Sequence, residues 1–67
     1  MNTLEKIKHF SQGQSITEIG KHSGVSAMTI YRWNNQQPTL KKLIKVAKTL
    51  GVDYRLLLPD ENFITNK

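Results

Sequence analysis

The sequence predicts an all-α fold, a compact five-helix bundle, and three observations carry that expectation. Apolar residues recur at three- and four-residue spacings, period-two alternation is nowhere sustained, and cap and stop residues divide the 67 positions into five segments. The length suits one small domain and leaves no room for a deep catalytic cleft. The helical pattern fills residues 1–58, whereas residues 59–67, polar and acidic after Pro59, read as a loosely ordered C-terminal tail.

In the first segment, Asn2 or Thr3 can cap a helix that turns Leu4, Ile7 and Phe10 inward and ends near Gly13, and Asn2 and Glu5 have capping-box spacing. The second is marked more sharply. Ser15 and Glu18 form a Ser-x-x-Glu capping box, Ile16, Ile19, Gly20 and Ser23 share one face, and Gly24 supplies a left-handed stop. The third restarts almost at once, with Ser26 as N-cap and Val25 placed to staple onto Ile30, and it runs over about 27–35. A fourth helix follows Pro38 with Thr39 as cap, burying Leu40, Leu43, Ile44, Ala47 and Leu50 before Gly51 stops it. A short fifth runs from Tyr54 through Leu58, between the Asp53 cap and Pro59.

Two helices so close in sequence cannot lie antiparallel; they must turn sharply, in helix-turn-helix geometry, over about residues 15–35. Such a turn brings backbones together. Gly20 is expected at the crossing, and Gly24 in the turn, where positive φ is needed. At about 100° per residue, Ala27, Met28, Tyr31, Arg32 and Asn35 gather on one side of the third helix, with Ile30 and Trp33 opposite. The outer set suits base edges: Arg donates twice to guanine, Asn pairs with adenine, and Ala or Met touches the thymine methyl.

Ten Lys and Arg against five Asp and Glu give a formal charge of +5. The excess belongs to the middle of the chain, since residues 19–52 hold Lys21, Arg32, Lys41, Lys42, Lys45 and Lys48 and no acid. A nucleic-acid partner fits that distribution. With no Cys, disulfides and thiolate metal sites are excluded. His9 and His22 lack metal-ligand spacing, and Gly13 to His22 departs from a phosphate loop in length and in its last residue, so no metal, cofactor or small-molecule ligand is expected. Nor do the acids assemble with a nucleophile or base into a catalytic group, and the chain is expected not to be an enzyme. The longest aliphatic run, Leu56-Leu57-Leu58, cannot cross a membrane.

The run Ser15-x-x-Glu18-Ile19-Gly20, Gly24-Val25-Ser26, Thr29-Ile30-x-Arg32-Trp33, Pro38-Thr39-Leu40-x-x-Leu43, Ala47-x-x-Leu50-Gly51-Val52 and Leu56-Leu57 resembles the phage repressor and Cro type of helix-turn-helix, the XRE family. The resemblance spans about Leu4 to Leu58 and implies the lambda-repressor-like five-helix fold. It implies base reading by Ala27, Met28 and Arg32, with Tyr31 beside them, from a third helix in the major groove. Backbone contact is implied for Ser15, Ser26, Asn35, Gln36, Gln37 and Thr39. Ile16 stands where many members carry Gln, so that contact is expected to be lost or replaced by Thr17. Members often pair an Arg late in helix one with a Glu at the end of helix three; here His9 and Asn34 stand instead, and a neutral hydrogen bond between them is the expected substitute.

Lys41 and Lys42 open the fourth helix beside that loop and are expected on phosphates, while Lys45 and Lys48 read as a solvated face, Trp33 as core and His22 as an exposed helix residue. The functional expectation is a sequence-specific double-stranded DNA-binding transcriptional regulator, a repressor, that is bacterial or phage-encoded, cytoplasmic and nucleoid-associated. A homodimer on a palindromic operator is expected, with apolar contact from Tyr54, Leu57, Phe63 and Ile64. The alternatives are a protein-interaction module, a recombination accessory protein and an antitoxin built on the same fold.

Overall fold

The computed structural model describes residues 1–60. These form α1 (Thr3–His9), α2 (Ile16–Ser23), α3 (Ala27–Arg32) and α4 (Leu40–Leu50), followed by one 3₁₀ turn, Tyr54–Leu57. The bundle described thus has four α-helices rather than five. The physical reason lies in the chain around the fifth segment. Asp53 Oδ1 accepts the Arg55 N–H at 2.9 Å, and Pro59 disfavours the helical conformation at Leu58, leaving too few residues for an α-helical ladder.

Cap chemistry sets most element ends. Asn2 and Ser15 each form a complete capping box, with Glu5 and Glu18 respectively, so both acids return a side-chain oxygen to the cap's own N–H. Gly24 (φ 78°) and Gly51 (φ 73°) stop α2 and α4 in the left-handed region. α2 packs on α3 and α4, the 3₁₀ turn seals α4 and α1, and α1 leans on α3. The core contains Leu4, Ile7, Ile16, Ile19, Val25, Ile30, Trp33, Leu43, Val46, Ala47, Leu50 and Leu57.

Gly20 is the tightest point. A Cβ there would lie 2.7 Å from the Val25 carbonyl oxygen and 3.1 Å from the Ala27 nitrogen, so the α2 backbone meets the turn and the start of α3 directly. Gly24 closes the same turn by donating its N–H to the Gly20 carbonyl at 2.9 Å.

Three expectations need correction. Leu40 is 54% exposed, because it begins α4 beside the exposed loop residues; Ile44 is only half-buried, and Val46 is fully buried instead. His9 meets Phe10 edge-on, with ring centroids 4.9 Å apart, and does not bond Asn34. Asn34 is held by Asn2, whose Nδ2 donates to the Asn34 carbonyl at 2.9 Å and to its Oδ1 at 3.0 Å. Leu57 is fully buried and therefore unavailable for a dimer contact, Tyr54 is half-buried, and Phe63 and Ile64 lie outside the described residues.

Of the segment read as a tail, Pro59 is buried and Asp60 is fixed. The Asp60 carboxylate accepts from Lys6 Nζ at 2.8 Å and from the α-amino group of Met1, and the Asp60 N–H donates to the Met1 carbonyl at 3.1 Å. The remainder of that segment, 61–67, lies outside the described residues.

Gly20→Ala is expected to destabilise the fold by about 1–3 kcal/mol through this backbone clash, measured by urea denaturation. A second expectation concerns acid. Hydrogen bonds from Lys6 and from the N-terminal amine hold Asp60 down at about 2. A depressed carboxylate contributes stability above its unfolded value of about 4 and loses it as pH falls toward the folded value. Asp60→Asn should therefore lower the melting temperature at pH 6 and reduce the acid-induced drop between about pH 4 and pH 2, read by thermal scans across that range.

Candidate nucleic-acid interface

The outer face of α3 is built by the turn before it. Ser26 caps the helix, its Oγ accepting the Thr29 N–H at 3.1 Å while donating to Thr29 Oγ1 at 2.9 Å. Ile30 and Trp33 are drawn into the core, and the opposite side of the helix turns outward. Met28 is 63% exposed, Tyr31 51%, and Arg32 is exposed beside them. Ala27 is half-buried, because it packs where Gly20 passes.

The helix is shorter than the 27–35 expected. It ends at Arg32, and the N–H groups of Trp33, Asn34 and Asn35 donate to carbonyls three residues back, at 3.0 to 3.2 Å. Burial of Trp33 and the hold on Asn34 pull the chain into this tighter turn. Asn35 consequently leaves the helical face and joins Gln36 and Gln37 on an exposed loop.

That loop and α4 enclose a surface cavity of about 180 Å³. Arg32 and Thr29 form its α3 side, Gln36 and Gln37 its loop side, and Thr39 and Lys42 its α4 side, with an edge of Trp33 between. Thr39 stands at the N-cap with extended backbone but makes no side-chain cap bond, so its hydroxyl does not close the α4 entrance. Two cations, two amides and two hydroxyls around one opening form a donor-rich site suited to an anion.

Other expected contact residues fall in separate places. Ser15 is engaged in its capping box, with Oγ accepting the Glu18 N–H at 3.1 Å and its own N–H bonded to Glu18 Oε1 at 3.0 Å; Thr17 is exposed on the next turn. Lys41 is exposed next to Lys42 at the start of α4. His22 is exposed on α2, 3.4 Å from Gln14 Oε1 through Nδ1. Thr29 was missed as a lining residue, although its three-residue spacing from both Ser26 and Arg32 carried the signal. Among the described residues no cluster of His, Asp or Glu could hold a metal ion, and no helix is long and apolar enough to cross a membrane.

The family model described as homeodomain-like domain matches residues 4–37, just over half of the chain, taking in α1 from its second residue, α2, α3 and the loop that follows to Gln37. The chain belongs to the homeodomain-like domain family. No curated protein and no solved structure matches it. The homeodomain-like segment is a helix-turn-helix DNA-binding domain, and in this chain it ends at Gln37, one wall short of the cavity that α4 completes.

The open entrance of α4 carries a stability expectation. Thr39→Asp should supply the missing cap and a negative charge at the helix N-terminus, raising stability by about 0.5–1 kcal/mol in urea denaturation at low salt.

Proposed function

We propose that the chain is a sequence-specific double-stranded DNA-binding transcriptional regulator, a repressor of the phage repressor and Cro type, acting as a homodimer on a palindromic operator. The observation that carries this reading is the exposed Met28, Tyr31 and Arg32 face of α3, set by the backbone contact at Gly20. Those side chains match base edges: Arg32 can donate twice to guanine, and Met28 can contact the thymine methyl. Ala27 reads through its small exposed remainder.

Phosphates would be taken on either side of that face. The cavity offers Lys42 together with the Gln36, Gln37 and Thr39 side chains, with Asn35 and Lys41 flanking it. Ser15, Thr17 and Ser26 lie along the α2 entrance and the turn, the Ser26 hydroxyl giving up its bond to Thr29 if it is to donate. Two copies would place their α3 helices about 34 Å apart, one turn of B-DNA. Leu56 and Leu58, both exposed, take the place of buried Leu57 in the apolar contact. The site of action would be the cytoplasm, on a bacterial nucleoid.

Selection from random duplex DNA, followed by salt titration of the enriched sequence, tests the reading. An enriched motif with two-fold symmetry is expected. Arg32→Ala should cost about 1–3 kcal/mol of discrimination at one position, whereas Lys41→Ala should weaken all sequences alike and shallow the salt slope by about one unit. Weak, salt-sensitive binding with no enriched motif would overturn it in favour of a protein-interaction module.

A further inference from the structure

We propose that Asn2 is a positioning residue for DNA reading: its side-chain amide grips Asn34 and thereby fixes the exit of α3, with Arg32 two residues upstream. The inference rests on the proposed DNA reading for its functional half, while the grip itself is a feature of the fold.

Every hydrogen-bonding group of Asn2 is committed. Its backbone N–H donates to Glu5 Oε1 at 2.9 Å and its carbonyl accepts the Lys6 N–H at 3.1 Å. Its Oδ1 accepts the Glu5 N–H at 2.8 Å, which completes the α1 cap. Both Nδ2 hydrogens cross 32 residues of sequence, one to the Asn34 carbonyl at 2.9 Å and one to Asn34 Oδ1 at 3.0 Å. Asn2 is 8% exposed, so these bonds are largely shielded from competing water.

The two duties impose different chemical demands. Capping alone is met equally well by Asp or Ser. The grip is not, because Asp would set a carboxylate against two oxygens and Ser carries one hydroxyl hydrogen on a shorter side chain. Only an amide of this length accepts from α1 and donates twice to the α3 exit. The residue type at position 2 is therefore specified by Asn34 rather than by the helix it caps.

The far end of the grip is well placed to matter. Asn34 N–H bonds the Tyr31 carbonyl at 3.2 Å, and the N–H groups of Asn35 and Gln36 both converge on the Arg32 carbonyl, at 3.2 and 3.1 Å. Holding the Asn34 peptide thus holds the turn that ends on Arg32 and begins the Gln36 side of the cavity. The near end is firm, since Leu4 and Ile7 anchor α1 in the core.

The test compares Asn2→Asp and Asn2→Ser, which keep the cap and lose the grip, with Glu5→Ala, which weakens the cap and leaves the grip. Asn34→Ala, which removes one of the two acceptors, serves as a milder variant at an exposed position. Two readouts are taken on the full chain: amide hydrogen exchange at Asn34, Asn35 and Gln36, and the affinity ratio between the selected duplex and a random one at fixed salt. Asn2→Asp and Asn2→Ser should retain wild-type helix content by circular dichroism, speed exchange at the three amides about tenfold, and lower the affinity ratio about fivefold. Asn34→Ala should move both readouts in the same direction by less, and Glu5→Ala should move neither. Wild-type exchange at those amides in Asn2→Asp, or an equal fall in the ratio in Glu5→Ala, would overturn the proposal. If the wild-type chain selects no duplex, the DNA reading fails by itself, and unaltered exchange or faster exchange then decides the grip alone.

Discussion

Where Gly20 passes the turn into α3, two stretches of main chain come so close that a single added carbon would sit 2.7 Å from a carbonyl oxygen. Helices that meet through side chains can slide as those side chains change rotamer; helices that meet through peptide groups cannot. The angle between α2 and α3 is accordingly set by the stiffest parts of the chain. From that angle follow the burial of Ile30 and Trp33, the outward display of Met28, Tyr31 and Arg32, and the half-covered state of Ala27. Gly24 permits the turn, whereas Gly20 fixes its tightness.

The acids of the described chain work at its edges. Glu5 and Glu18 bond the backbone of their caps, Asp53 chelates its neighbour Arg55, and Asp60 ties Lys6 and the amino terminus. None of these places a carboxylate on the α3 face or at the mouth of the cavity. Capping and charge distribution are thus one arrangement: Glu5, Glu18 and Asp53 sit at helix N-termini, where the dipole favours them, Asp60 lies beyond the last turn, and the middle of the chain keeps its positive potential.

How far the sequence could be read depended on the range of each interaction. α2 was legible to the residue, because Ser15, Glu18 and Gly24 act within one or two turns. The outer face of α3 was legible for the same reason, as a residue of helical geometry. Its end was not: α3 stops at Arg32 because Trp33 is buried and Asn34 is held by Asn2, and no local spacing encodes a bond across 32 positions. Leu40 and Val46 were exchanged between core and surface because helical periodicity gives the width of a stripe, while its edges depend on which neighbour arrives to cover it. The fifth segment failed through Pro59, whose effect on the preceding residue shortens the helix it follows.

The shortness of α3 sets a limit on information. Six helical residues span about 9 Å, which lies along about three base steps of B-form DNA. Three positions fully specified distinguish on the order of 10² sequences, whereas a genome offers about 10⁶ or more competing sites. On the proposed DNA reading, one copy of this helix would spell a syllable rather than an address. The rest of the message would then come from repetition in a second copy, from the shape and flexibility of the duplex, or from both.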